Sequence, residues 1–258
     1  MDGTLLKLSP SSARDFKSCP QLFKYRSVDR LQEPTSTAAA RGSLVHAVLE
    51  RLFSEPAPNR TPERAETLLD ALWREVKDEP EIRPDAAAPG HEHEWLAHAK
   101  RLLLNLFRLE DPRSLSASRL EWWVEYDLPD IQLRGVIDRL EERNDGSWIL
   151  TDYKTGRVPG TERELAAFFG LRFYALVCWR AFGVVPKEIR LVYLGDPSVL
   201  TLTPNEAMLT GFERQMQALG KAIRRAHERD DWRPNPSPLC ISCSFHDRCP
   251  AWAEARAE

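Results

Sequence analysis

The stretch Gly135-Val136-Ile137-Asp138-Arg139-Leu140-Glu141-Glu142-Arg143-Asn144-Asp145-Gly146-Ser147-Trp148-Ile149-Leu150-Thr151-Asp152-Tyr153-Lys154-Thr155-Gly156 reads as two β-strands joined by a tight turn. Both arms are rich in β-formers, and Asn144-Asp145-Gly146 between them is a strong hairpin signal. Strands over Gln132–Leu140 and Ser147–Thr155 follow, preceded by another over Arg119–Leu128. A hairpin turning about Asp145 sets Asp138 across from Asp152, with Cβ atoms about 5 Å apart. Side chains alternate faces along a strand, so Asp152 and Lys154 project together while Tyr153 points the other way. Two carboxylates and one amine then converge. Like charges held together favour a shared divalent cation, and oxygen-rich ligation points to magnesium or manganese. Such an ion polarises a phosphodiester and lowers the pKa of a bound water, while Lys154 is placed to orient that water or to stabilise charge developing at phosphorus. Either arm taken alone reads equally well as solvated strand-edge residues; the register joining the two favours a site.

Outward from the hairpin, the chain alternates between helical and strand patterns. A capped helix is expected from Leu8-Ser9-Pro10-Ser11-Ser12 through Ala13 to Tyr25, bringing Cys19 onto or beside it. Gly42-Ser43 is read as opening a second helix, with Val45, Val48, Leu49, Leu52 and Phe53 at helical spacing and its end before the Pro-rich stretch from Glu55 to Pro58. Helical patterns at Pro62–Lys77 and Trp95–Leu109 flank a Pro- and Ala-rich link from Glu79 to Gly90, so residues 55–112 read as a helical insertion. Downstream, a long apolar helix is expected over Glu162–Phe182, strands over Ile189–Leu194 and Val199–Thr203, and a closing helix over Asn205–Arg229. This order predicts an α/β fold with a central mixed sheet flanked by helices, in one domain over 1–258, with a cysteine-bearing region at 232–258 joined to Cys19.

The 258 residues are 42% hydrophobic and 29% charged, enough for one large domain. With 36 basic and 39 acidic residues the net charge is −3, so nucleic-acid contact has to come from local clusters rather than from overall charge. No run of about 18 apolar residues occurs, and the first ten residues carry no apolar stretch after a basic start. A soluble, cytoplasmic protein is expected, with no membrane partner. A phosphate loop of the Gly-x4-Gly-Lys-Ser/Thr kind is missing, so any unwinding of a duplex would come from a helicase or repair partner.

His46 stands about three residues into the helix that Ser43 would cap, where the positive helix end favours neutral imidazole, the metal-binding form. Taken alone, it is more often a satisfied core or surface residue. Gly42-Ser43-Leu44-Val45-His46, followed by Gly135-Val136-Ile137-Asp138-Arg139 and Asp152-Tyr153-Lys154-Thr155-Gly156, resembles the RecB-like branch of the PD-(D/E)xK nuclease superfamily. The resemblance spans most of the chain. It implies a restriction-endonuclease-like core in which His46, Asp138, Asp152 and the backbone carbonyl of Tyr153 hold the metal and Lys154 is the catalytic lysine. Glu125, on the preceding strand, is a weaker candidate for a ligand or its support. The family usually carries Gln-x-x-x-Tyr on the helix after the lysine strand. Here the stretch is Gly170-Leu171-Arg172-Phe173-Tyr174, so Tyr174 is kept, the glutamine is not, and Arg172 is a candidate phosphate contact in its place.

Five cysteines in a chain of this kind do not suggest a disulfide scaffold. Cys240-x2-Cys243-x5-Cys249 with Cys19 far upstream reads as a set of metal ligands. Four thiolates, two of them followed by proline, favour a four-iron, four-sulfur cluster, the alternative being structural zinc with His246 replacing one thiolate. One cysteine before the core and three after it resembles the iron–sulfur members of the superfamily, such as AddB-type and CRISPR-associated nucleases. Cys178, between Val177 and Trp179, reads as a buried small hydrophobe. Trp232 and Phe245 are expected beside the cluster, shielding it or stacking on unpaired bases. Lys221, Arg224, Arg225, Arg229 and Arg233 could track a phosphate backbone, although a solvated face is the default reading. The implied activity is magnesium- or manganese-dependent exonucleolytic cleavage of single-stranded or frayed DNA, in repair or recombination. A catalytically weak DNA-binding module of the same fold and a zinc-stapled interaction protein are the competing readings.

Overall fold

A computed structural model describes residues 5–79, 91–160 and 164–255. The expected link at 79–90 and the start of the long helix at 162 therefore fall, all but Glu79, outside the described residues. Nine α-helices and six strands are seen among the described residues: β1 Leu6–Leu8, α1 Pro10–Ser18, α2 Pro20–Phe23, α3 Thr37–Ser54, α4 Pro62–Val76, α5 His91–Leu109, β2 Arg119–Asp127, β3 Ile131–Glu142, β4 Trp148–Lys154, α6 Glu164–Ala167, α7 Phe169–Phe182, β5 Glu188–Tyr193, β6 Ser198–Leu202, α8 Glu206–Glu228 and α9 Pro250–Ala255. The strands run in the order β1-β3-β4-β5-β6, with β2 also paired to β3. β1 with β3 and β4 with β5 are parallel, whereas β3 with β4 and β5 with β6 are antiparallel. This is the expected α/β class with a mixed sheet flanked by helices.

The chain divides into two compact units, Met1–Pro34 with Glu125–Gly135 and Glu206–Glu258, and Thr35–Val124 with Val136–Asn205. In the second, the β3–β4 hairpin has the register that its turn implied. Arg139 faces Thr151 and Leu140 faces Leu150, with Gly146 in the left-handed conformation at φ 77°. Tyr153, Val192 and Leu194 join a core built from α3, α4 and α5, to which Leu44, Val48, Leu52, Leu69, Leu72, Leu103 and Leu106 contribute. Burial of these side chains, at about 1.5–3 kcal/mol each, is what anchors α3 beneath the sheet. α7 packs against β4 and β5 and ends at Gly183, whose φ of 73° suits a residue with no Cβ. Cys178 on α7 is fully buried, and burial pushes its thiol up to about 12, so it belongs to the core as expected.

In the other unit, β1 lies beside the start of β3, and α8 packs so closely that a Cβ at Gly220 would meet the Ile131 side chain at 2.3 Å. Phe16, Phe23 and Trp232 pack ring to ring.

Several boundaries differ from expectation for physical reasons. The first helix breaks at Cys19, whose extended backbone separates α1 from α2, and it continues into a π-type turn over Lys24–Val28. Ser9 caps α1 in a reciprocal box with Ser12. α3 begins at Thr37, capped by the Ser36 hydroxyl, well upstream of Gly42-Ser43. The apolar helix after β4 is interrupted at Phe168, leaving α6 and α7. β1, three residues long, had no sequence signal.

Gly195, in the β5–β6 turn, lies where a Cβ would stand 2.5 Å from the carbonyl oxygens of both Thr155 and Gly156. Backbone cannot yield as a flexible side chain can. Gly195→Ala should destabilise the fold by about 1–3 kcal/mol in urea titration and displace the loop that follows Lys154.

Candidate metal centre

His46 reaches the centre from α3, Glu121 from β2, Asp138 from β3, and Asp152 and Lys154 from β4. One ligand atom each from His46, Glu121 and Asp138 lies within 4.8 Å of the others, the one such group of histidine, cysteine and carboxylate side chains among the described residues. His46 Nε2 donates to the Tyr153 carbonyl at 3.0 Å, and Nδ1 stands 3.4 Å from Asp138 Oδ2. The same Asp138 oxygen accepts from the Tyr153 backbone N–H at 2.8 Å. Carrying the hairpin register one step beyond Arg139 and Thr151 sets Asp138 opposite Asp152. Oδ2 of Asp152 is buried, pairs with the Lys154 ammonium and accepts no directed hydrogen bond. Lys154 keeps 43% of its side-chain surface, so its amine stands at the exposed edge of the centre.

The carboxyls of Asp138 and Glu121 are both held toward their protonated forms. Burial, and then the neighbouring Asp152, push the Asp138 carboxyl well above the usual carboxylate range. Glu121 is raised by burial and by Glu50 and Asp152. Burial pulls the His46 imidazole down despite Asp152, leaving it neutral. His46 lies in the third turn of α3, so desolvation accounts for this and the helix end does not. A neutral imidazole and two carboxylates gathered in this way are the kinds of donor that a hard divalent cation takes, and Asp152 stands beside them but outside the group.

Glu121 was missed because β2 is irregular there. Its φ of 40° is a left-handed conformation that glutamate rarely adopts, and no period-2 pattern announces it. Glu125, the residue singled out on that strand, is exposed and outside the group. Tyr174 hydrogen-bonds the backbone of Val136, and its phenol is pushed up by burial and by the Asp152 and Asp138 charges. Arg172 instead donates to the Leu165 carbonyl at 3.2 Å, with its Nε buried.

Behind the carboxylates, the opposite face of the same strands carries a buried ion network. Arg139, 0% exposed, donates to Glu110 at 2.9 Å and to Glu141 at 3.1 Å, contacts the Tyr153 hydroxyl, and lies over the Phe53 ring. The Tyr153 hydroxyl donates in turn to Glu110 at 3.0 Å. Burial opposes the guanidinium charge, yet Tyr153, Glu110 and Glu141 more than offset it. Tyr153 is thereby held at its ring by this network and at its backbone by Asp138 and His46.

In the other unit, Cys19, Cys240, Cys243 and Cys249 line one cavity of about 260 Å³. No three of their sulfurs gather within 4.8 Å of one another. The backbone N–H of Asn235 donates to Cys19 Sγ at 3.4 Å and that of Ser237 to Cys240 Sγ at 3.3 Å. His246 also lines the cavity, but its Nδ1 contacts the Cys243 carbonyl at 2.9 Å and its Nε2 contacts Asp247 at 3.1 Å. Trp232 is buried against Phe23 and lines a different cleft from the one that the cysteines line. Phe245 is buried against Tyr25, which does line the cysteine cavity. Of the basic residues on and after α8, Arg224 pairs with Asp130 and Arg233 with Asp231, which interrupts the stripe.

A family model of the PD-(D/E)XK nuclease superfamily matches residues 7–250. The chain belongs to that superfamily, whose members act with divalent metal ions. Among solved structures, an exonuclease candidate from Eubacterium rectale superposes with a TM-score of 0.59 at 15% identity, covering 92% of this chain and 86% of that one, which supports the fold. SSO0001 gives a TM-score of 0.36 at 16% identity over 81% of this chain and 95% of its own, too loose to carry an argument. A search of the curated proteins gives no match. No described helix is long and apolar enough to cross a membrane.

Two outcomes follow for a nuclease with this centre. The folded chain holds the Asp138 proton more tightly than the unfolded chain, so metal-free stability falls as pH rises from 3.8 through the raised value. Asp138→Asn should therefore raise the melting temperature in EDTA at pH 7 and remove the further rise that manganese gives the wild type. Arg139→Ala, which leaves Glu110 and Glu141 buried without their cation, should cost about 3–5 kcal/mol by urea titration.

Proposed function

We propose that this protein is a metal-dependent DNA nuclease, an exonuclease acting on single-stranded or frayed DNA in repair or recombination. The observation that carries this reading is the convergence of His46, Glu121 and Asp138 beside the Asp152–Lys154 pair. These residues, with the Tyr153 carbonyl, would hold magnesium or manganese. The ion would supply Lewis acidity at the phosphodiester and a water of lowered pKa. Asp138 and Asp152 contribute the negative charge that fixes the cation. Lys154 places its ammonium where charge grows on the phosphoryl oxygens or where the attacking water is oriented. Tyr174, anchored on the Val136 backbone, supports the strand that carries Asp138. The exonuclease name of the Eubacterium rectale structure favours action at ends. A helicase partner would supply ends from duplex DNA.

The same reading includes a four-iron, four-sulfur cluster held by Cys19, Cys240, Cys243 and Cys249. One feature supports it over zinc. Both ring nitrogens of His246 are engaged, so it is not free to replace a thiolate. Backbone N–H donors to Cys19 and Cys240 suit cluster thiolates. The cluster would tie the end of α1 to the C-terminal segment.

Lys154→Ala should lower manganese-supported cleavage of labelled single-stranded DNA by about 10²–10³-fold while the fold is retained. Equal inertness of wild type and variant across metals and substrates would sink the nuclease reading. Anaerobically purified protein should be brown, with iron and sulfide at about four each. A colourless protein holding one zinc would overturn the cluster.

A further inference from the structure

α5 grips β4 at two successive residues. Glu110, directly after α5, accepts from the Tyr153 hydroxyl at 3.0 Å and from Arg139 at 2.9 Å. Earlier on the helix, Asn105 Nδ2 donates to the Leu194 carbonyl at 2.8 Å. Leu194 lies one residue past the last pair of the β4–β5 ladder, Lys154 with Tyr193, and its N–H donates to the Lys154 carbonyl at 2.7 Å. Asn105 therefore reaches Lys154 through a single residue. Each link is fixed in place. Leu102, Leu103 and Leu106 bury the helix around Asn105, and Leu194 is itself fully buried in the same core. Arg108, a donor only, bonds Asn105 Oδ1 at 3.3 Å, which leaves the amide nitrogen for the Leu194 carbonyl, an acceptor only. Beyond Leu194, a Cβ at Gly195 would stand 2.5 Å from the carbonyl oxygens of Thr155 and Gly156, and one at Gly42 would stand 3.2 Å from Thr155 Oγ1. The turn after Lys154 is thus closed in from α3 and from the β5–β6 turn.

We infer that Asn105 is a positioning residue for Lys154, holding through Leu194 the backbone from which the lysine's ammonium is aimed at the metal centre. The lysine side chain is exposed at the edge of the centre, where it pairs with Asp152. A flexible four-carbon stem that is not enclosed goes where its own backbone directs it. The hydrogen bonds of Asn105 run to Leu194 and Arg108, so its effect on the reaction passes through the lysine. A displacement of about 1 Å in a group of this kind costs up to about 10²-fold in rate. The inference rests on the nuclease reading for the reaction that Lys154 serves, and on the hydrogen-bond relay alone for the placement of the lysine.

Two variants remove the donor. Asn105→Asp keeps the shape of the side chain, and Asn105→Leu adds no charge. Leu69→Val, in the same core but on α4, is the comparator for a loss of stability alone. The first readout is the NMR signal of the Lys154 Cε in metal-free protein carrying isotope-labelled lysine, assigned by its disappearance in Lys154→Ala. The signal should move in both Asn105 variants and stay in place in Leu69→Val. A signal that stays in place in either Asn105 variant, or that moves equally in Leu69→Val, overturns the inference. Should the Asn105 variants not fold, Arg108→Ala decides: Arg108 is exposed, and its removal frees the Asn105 amide to turn, so the signal should move there as well. The second readout is manganese-supported cleavage of labelled single-stranded DNA. Asn105→Asp should lower kcat about tenfold with KM unchanged, and should add no loss in the Lys154→Ala background. A loss that multiplies with that of Lys154→Ala passes through some other group and also overturns the inference. A wild type that cuts nothing, with the lysine signal moved in the Asn105 variants, keeps the positioning role and discards the nuclease.

Discussion

Tyr153 is the residue on which the rest of the centre depends. Its amide holds the Asp138 carboxylate, its carbonyl holds His46, and its hydroxyl lies in the buried network of Arg139 and Glu110. Strand alternation puts ring and carboxylates on opposite faces, so the chemistry on one side is built on peptide groups whose position is set from the other. The α3–α5 core closes on that ring and brings His46 with it. The placement of His46 from α3 and Asp138 from β3 therefore depends on one residue of β4 and the two peptide groups that flank it.

The hairpin was legible because its information is local. A turn signal and two alternating arms set a register, and a one-residue slip would have turned every side chain over. The pairing of Asp138 with Asp152 and the projection of Lys154 followed from that. His46 was legible as a candidate ligand only through its company, and the physical reason for its neutrality was misjudged. α3 starts at Thr37, so burial rather than the helix end keeps the ring uncharged. Glu121 was hidden because one left-handed residue in β2 re-aims a side chain in a way that no periodic pattern encodes.

Long-range features divide in the same way. The four cysteines could be grouped by spacing, and they do line one cavity, while the aromatic residues near them in sequence sort themselves by packing that spacing does not reveal. The cleft lined by the starts of α3 and α5 joins residues about sixty positions apart, a juxtaposition that exists only in the folded chain. β1 is too short to carry a pattern and is defined only by the strand beside it.

The β3–β4 hairpin has one further consequence, for how this chain tolerates change. Since the Arg139 network and the metal carboxylates stand back to back on the same few peptide groups, a weak core and a weak centre are the same defect observed by different means. Substitutions that restore a damaged network should be recovered when selection is applied only to metal binding. Conversely, on the proposed metal reading, cation concentration becomes a dial on folding, because an ion that binds only the folded chain stabilises it by mass action.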